Sequence, residues 1–277
     1  MSSNEVRQGD PRFASLVKKR FNKRFAGKPD YFRVVSSAQD IAAALEEAVS
    51  KNLRVAVQSG GHSLEGFVSD PAVRVVIDTS LLSSINHDAD LNAFAVGAGA
   101  TLGEALRRLF LGWGVMLPAG QSPDIGVGGH VLGGGFGFFH REHGLAVDHL
   151  YGVEVVVVDE AGKARVVTAT REPSDPNRAL WWAHTGCGGG NLGIVTRYFF
   201  QSPGAHGGDP TLLLPKAPEH VTTFRAEWDR KHIDEASFTS LVRNYGDWCE
   251  HNSDADEMQC HDAEFCPSFT QVQLFES

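Results

Sequence analysis

The chain has 277 residues, 42% of them hydrophobic, enough to bury a large core in one large domain or two smaller ones, which excludes disordered and collagen-like classes. Its formal charge of -9 and lack of a long Lys/Arg run argue against nucleic-acid and anionic-membrane partners, since phosphates are met by clustered cations. The opening MSSNEVRQGDPRF holds no apolar stretch behind a basic start, so neither a secretory signal nor an anchor is expected and a cytoplasmic chain is.

In chain order, YFRVV at 31–35 reads as a strand, followed by a helix in SAQDIAAALEEAVSKN with Ser37 as its N-cap. RVAV and VRVVID are two β-branched runs on either side of SGGHS, completing a small α/β unit. AFAVGAGA reads as a strand or strand pair, and TLGEALRRLFLGWG as an amphipathic helix capped by Thr101. A glycine-dense stretch follows, then GVEVVVVDEAGKARVVTATRE as two strands joined by an Ala-Gly turn, and NLGIVTRYFF as another strand, so this half reads as α+β. QSPGAHGGDP reads as a linker. Beyond it lies one helix around 235–249, with Leu241 and Trp248 on an expected buried face, and a stretch after 257 with no clear period. Cys187, Cys249, Cys260 and Cys266 make no CxxC pair and read as thiols.

The residues rule out several chemistries. No G-x-S-x-G elbow and no Walker loop is present. The Rossmann fingerprint begins at Gly126 and Gly128 but fails at His130 and Val131. His130, His140, His143 and His149 lie close in sequence, yet HExxH is absent and no third ligand stands at a familiar spacing, so no metal is expected; histidines in such loops often bond backbone carbonyls. Two glycine-rich loops, SGGHS and GVGGHVLGGGFG, can bring backbone N–H groups up to a large, flat, anionic ligand such as a dinucleotide; read alone, either could simply be a turn.

Four strings, RVAVQSGGHSLEGF, NAFAVGAGATLGEAL, SPDIGVGGHVLGGGFGFFHREHGLAVDHLYGVEVVVVD and LWWAHTGCGGGNLGIVTRYFF, resemble in order and spacing the FAD-binding domain of the berberine bridge enzyme-like oxidoreductases. These belong to the vanillyl-alcohol oxidase, or PCMH-type, flavoprotein superfamily, and the resemblance runs from about position 10 to 253. It implies an α+β fold: a PCMH-type FAD-binding domain over 27–202, built of two α/β subdomains (about 27–90 and 91–202), then an incomplete α/β substrate domain over 203–277.

The implied activity is oxidation of a CH–OH group of a small-molecule sugar or secondary metabolite, by hydride transfer to flavin N5 with O2 or another acceptor regenerating the flavin. The resemblance implies that His62 carries the flavin covalently at its 8α position; a neutral imidazole, of reference pKa about 6.5, is a competent nucleophile. It further implies that Ser59, Gly60, Gly61 and Ser63 wrap the pyrophosphate, and that Gly126, Gly128, Gly129 and His130 line the phosphate and ring. Gly144, Val147 and Asp148 would take the ribityl and adenosine side, and Gly193 and Ile194 the adenine and flavin.

The chain departs from the family pattern in several places. Ser122 stands where many members have a cysteine bonded to flavin C6, and a serine hydroxyl is a poor nucleophile at neutral pH, so FAD is expected to be covalent through His62 only. The resemblance puts Ile125 where the family places a residue over the flavin face that gates O2, which leaves oxidase and dehydrogenase both open. From about Asp254 the resemblance stops, and the expectation is a truncated chain with a divergent tail. No catalytic base is assigned: Tyr31, Tyr151, Tyr198 and Tyr245 occur in strand-like or helical contexts that suit structural roles. A catalytically silent flavin-binding protein is the alternative function, and a metal-binding α/β protein the third.

Overall fold

Local chemistry sets most of the elements. In this computed structural model, which describes residues 4–227, 230–251, 262–266 and 271–276, the chain runs β1 (Glu5–Arg7), α1 (Phe13–Lys18), β2 (Tyr31–Val34), α2 (Ala38–Ser50), β3 (Val55–Gln58) and β4 (Val75–Asp78). It continues β5 (Ile85–Asp88), β6 (Ala93–Gly97), α3 (Leu102–Trp113), α4 (Val127–Leu132), α5 (His140–His143), β7 (Leu150–Val158), β8 (Ala164–Thr170), α6 (Arg178–Ala183) and β9 (Ile194–Phe200). After this come β10 (Thr222–Glu227), α7 (Glu235–His251), β11 (Asp262–Cys266) and β12 (Gln271–Glu276).

The caps read from sequence are made. Ser37 Oγ accepts the Asp40 N–H at 3.1 Å at the start of α2. At α3, Glu104 N–H donates to Thr101 Oγ1 at 3.3 Å while Thr101 N–H donates to the Glu104 carboxylate at 2.8 Å, a reciprocal capping box. That helix ends on Gly114, whose φ of 69° is left-handed and whose N–H closes on Phe110 O.

Two sheets frame the cofactor-sized half of the chain. The first has the order β1-β2-β4-β3, with β2, β4 and β3 parallel and β1 antiparallel at the edge. The second, β5-β6-β9-β7-β8, is antiparallel throughout. Helix α2 lies between them: Ile41 and Ala44 share a core with Val75 and Ile77 of the first sheet and Val156 and Ile194 of the second. Burial of each such Val or Ile is worth about 1.5–3 kcal/mol, so this shared layer ties the two sheets together. A larger core packs α3 and α4 on the second sheet through Phe94, Leu102, Leu109, Val127, Tyr198 and Phe200.

Leu213 and Leu214, beyond the expected linker, are buried in that same core, and Met116 N–H donates to Pro215 O at 2.9 Å. The residues after 257, in which the sequence shows no period, supply β11 and β12, and these join β10 in an antiparallel sheet of order β10-β12-β11. β11 pairs with β12, its neighbour in sequence, and β12 also pairs with the distant β10, so pairing, not a periodic pattern, defines those two elements. In α7 no residue is buried; Leu241 and Trp248 are half-buried, because helical periodicity marks the face that prefers cover without supplying a neighbour. No helix among the described residues is long and apolar enough to cross a membrane.

Candidate functional site

The parallel pairing of β3 with β4 places Gln58 opposite Asp78 at the strand ends. Both side chains are buried, and Gln58 Nε2 donates to Asp78 Oδ2 at 2.9 Å. Lys19 Nζ reaches the same carboxylate at 3.4 Å, and Ser80 donates to it from both its N–H and its hydroxyl. The chain then turns through Ser59, Gly60, Gly61 and His62. Gly61 has φ 79°, and a Cβ there would lie 2.2 Å from Lys19 O, so only glycine fits.

The two glycine-rich loops meet. A Cβ on Gly60 would lie 2.2 Å from Gly126 N, and a Cβ on Gly126 would lie 2.2 Å from Gly60 N. Ala98, just past β6, joins them: its carbonyl accepts Ser59 Oγ at 2.7 Å and Gly128 N–H at 3.0 Å. Tyr198 of β9 braces the same place, its hydroxyl donating to Gly128 O at 2.9 Å. Burial pushes that phenol far above its ordinary pKa, which keeps it a neutral donor. Ile125 O accepts Leu102 N–H at 2.8 Å and Ile125 N–H donates to Ser122 O at 3.3 Å, so the Ser122–Gly126 loop is pinned to the start of α3. Gly129 is exposed, with nothing within 4 Å of its Cβ position.

Other residues expected at the cofactor have definite places. His130 Nε2 accepts the Gly120 N–H at 2.9 Å, and burial lowers its pKa, so the ring is neutral with its proton on Nδ1. Ser63 is exposed, with its hydroxyl donating to Glu65 O at 3.0 Å. Gly144 has φ 77° and turns against Asp148, whose Oδ2 accepts the Leu145 N–H at 2.8 Å; Val147 N–H returns to Gly134 O at 3.1 Å. Gly193, at φ 103°, passes 2.6 Å from Val156 O measured at its Cβ position. Ile194 points into the α2 core, apart from the loop pair.

Of the close histidines, His130, His140 and His149 have a ring nitrogen bonded to backbone, and His143 Nε2 lies 3.5 Å from the Glu142 carboxylate. His140 Nδ1 bonds Gly137 O at 2.7 Å, and His149 Nε2 bonds His143 O at 2.8 Å while its Nδ1 meets Ser202 Oγ at 2.9 Å. Among the described residues no group of three or more His, Cys, Asp or Glu is arranged to hold a metal. Cys187 and Cys249 are free thiols. A separate cavity of about 590 Å³ opens between α5 and residues 212–219, lined by Met116, Phe139, His143 and Lys216 among others, and by none of the residues expected at the cofactor.

The sequence reading passed over the segment Lys19–Phe21, which runs beneath the SGGHS turn. Arg20 Nε and Nη2 are buried and have no hydrogen-bond partner among the described residues. Burial lowers the Arg20 pKa, opposed by the charge of Asp78, and a guanidinium nevertheless stays protonated. Phe21 N–H donates to Gly61 O at 2.9 Å, and its ring stacks on His62. The signal was present in LVKKRFNKRF, a cluster of five cations in an acidic chain.

A pair of interlocked glycine loops, beside a segment that carries Arg20 with unfilled buried donors, fits the pyrophosphate of a dinucleotide, and the neighbouring imidazole fits a ring that can be linked. The fold and site therefore define a dinucleotide-cofactor-binding α+β domain. Residues 29–167 match the family described as FAD binding domain, and the chain belongs to that family, in its PCMH-type, berberine bridge enzyme-like group.

Aclacinomycin-N/aclacinomycin-A oxidase of Streptomyces galilaeus is 53% identical over 251 residues, covering 91% of this chain and 46% of that protein. Hexose oxidase of Chondrus crispus is 38% identical, covering 79% and 39%, and berberine bridge enzyme-like 19 of Arabidopsis thaliana is 32% identical, covering 82% and 38%. The crystal structure of aclacinomycin oxidoreductase superposes with a TM-score of 0.90 at 49% identity, over 98% of this chain and 56% of that one. Glucooligosaccharide oxidase from Acremonium strictum, described with a 6-S-cysteinyl, 8α-N1-histidyl FAD, superposes at 0.71 with 27% identity, over 93% and 48%. The chain thus spans about half the length of the relatives it matches.

Proposed function

We propose that the chain is the cofactor-holding part of an FAD-dependent oxidoreductase acting on a CH–OH group of a sugar or sugar-bearing secondary metabolite. The observation that carries this is the apposition of Gly60 and Gly126 beside His62, in a chain whose relatives are sugar and aclacinomycin oxidases. Residues 27–202 form the FAD unit, of subdomains 27–90 and 91–202, and 203–277 begin the substrate side. Bound FAD would supply the two-electron acceptor, taking a hydride at N5 and passing the electrons to O2 or another acceptor.

The chain's own residues have separable tasks. Backbone N–H groups of the two loops and the Arg20 guanidinium hold the diphosphate, while His62 makes the single covalent link at the 8α carbon. Ser122, where the resemblance places a cysteine bonded to flavin C6 in many members, adds no second bond, because an unactivated hydroxyl is a weak nucleophile. Ser59 contributes through geometry: its one hydroxyl proton goes to Ala98 O, which fixes the turn and leaves phosphate contact to the backbone. Gly129, Gly144, Val147, Asp148 and Gly193 shape the walls on which the rest of the dinucleotide lies, with Ile194 behind them in the α2 core.

The test is direct. Purified 277-residue chain should be yellow and keep its flavin after acid denaturation; His62→Ala should bind FAD reversibly and release all of it on denaturation. Anaerobic addition of hexoses and of glycosylated polyketides should bleach the flavin of a competent oxidoreductase. Colourless protein that takes up no FAD would defeat the proposal, and bound flavin that no such substrate bleaches would make the chain a flavin binder instead.

A further inference from the structure

We propose that Phe21 is a positioning residue for the imidazole of His62, holding its plane so that a ring nitrogen meets the flavin 8α carbon. The inference rests on the assignment of His62 as the linking residue. The rings of Phe21 and His62 are stacked, with centroids 5.2 Å apart and planes 17° from parallel. No hydrogen bond to either nitrogen of His62 occurs among the described residues, whereas His130, His140, His149 and His184 each have a ring nitrogen bonded to backbone. His62 is therefore oriented through its face and left free at its edge, as a nucleophilic nitrogen requires.

Phe21 itself is fixed on both sides. Its N–H donates to Gly61 O at 2.9 Å, and the next residue, Asn22, donates from Nδ2 to Leu64 O at 2.6 Å, so the residues flanking His62 are tied to those carrying the phenyl ring. Core packing does not account for the phenylalanine, since it remains 61% exposed. A planar hydrophobic contact restricts rotation of the imidazole without occupying its lone pair, which a hydrogen bond would do.

Attachment exchanges one C–H bond at the 8α carbon and the imidazole N–H for a C–N bond. The two electrons and two protons released reduce dioxygen to hydrogen peroxide, so dioxygen is the required co-reactant. Correct aim of the nitrogen is an orientation effect on the rate of that exchange and not on the affinity for FAD.

The experiment follows covalent incorporation in flavin-free full chain mixed with FAD in air, read as fluorescence retained by acid-denatured polypeptide, with total FAD per native protein measured in parallel. Phe21→Ala should slow attachment about tenfold or more, with unchanged FAD content. Phe21→Tyr should restore the rate and Phe21→Leu should not, a comparison that decides the matter even if the alanine variant is poorly folded. Wild-type attachment in Phe21→Ala, full restoration by leucine, or a parallel loss of FAD binding would overturn the inference. Covalent flavin in His62→Ala, or none in the unaltered chain, would overturn the His62 assignment itself, and with it this inference; a clean His62→Ala beside an unaffected Phe21→Ala would overturn only the role of Phe21.

Discussion

Gly60 and Gly126 face each other so closely that a Cβ on either would lie 2.2 Å from the other's backbone nitrogen. The two loops proposed to hold the cofactor thus need glycine at positions 60 and 126 because they pack on one another there, whereas Gly61, Gly135 and Gly137 are confined by Lys19 O, Ala146 and Ala119 O. Replacing either residue with alanine should force the loops apart, at a cost of about 1–3 kcal/mol or more in stability, and should abolish tight FAD binding. Gly129→Ala is the control: nothing lies within 4 Å of its Cβ position in α4, so thermal melts should show no loss and a gain of up to about 1 kcal/mol from the better helix former. Equal melting temperatures for Gly126→Ala and Gly129→Ala would refute the apposition.

Arg20 should show an opposite signature. Its Nε and Nη2 are buried without partners, an arrangement that costs stability until an anion fills it. In a His62→Ala background, where binding is reversible, Arg20→Met should leave the FAD-free chain at least as stable. It should weaken FAD binding about tenfold, or about 1.4 kcal/mol by titration. An unchanged Kd would remove Arg20 from the site.

How much of this was legible in the sequence depended on the range of the interaction. The box of Thr101 and Glu104, the stop at Gly114 and the turn between β7 and β8 are local, and residue type alone signals them. SGGHS stood out as a candidate site through its place among four collinear strings that resemble one family, not through its own residues. The contact of Gly60 with Gly126 was hidden, since each loop alone reads as an ordinary turn. Lys19 O under Gly61 and Phe21 on His62 were hidden for the same reason, because the segment that supplies them is remote from the motif. Strand β12 is held between β11, its neighbour in sequence, and the distant β10, and the second of these pairings lies beyond any window of sequence.

Acid should destabilise the fold through its buried histidines. Burial lowers the pKa values of His149, His130 and His184, so each is neutral in the fold while the unfolded chain takes up protons at about pH 6.5. The unfolded state then binds more protons as pH falls, and stability, complete above that value, is lost progressively down through the folded pKa values. Denaturant melts from pH 7.5 to 5 should show this fall, and His149→Gln, which keeps a polar group near His143 O and Ser202 Oγ, should flatten its slope. A slope identical to that of the unaltered chain would place the titration elsewhere.

The last prediction separates fold from cofactor grip. Tyr198 lies in β9, fully buried, and reaches across the core to donate its hydroxyl to Gly128 O at 2.9 Å. Tyr198→Phe removes only that oxygen, so ring packing against Phe200 survives and the cost is that of one lost hydrogen bond, about 0.5–1.5 kcal/mol. Because Gly128 also donates to Ala98 O, which Ser59 shares, the loosened carbonyl should be felt at the junction of the two loops. FAD dissociation in a His62→Ala background should therefore quicken by more than the same loss of stability produces when placed on the far side of β9, for example by Phe199→Leu, whose ring packs with Ala93 and Ala95 in a separate cluster. If both variants lose stability equally and release FAD equally, Tyr198 serves the core alone.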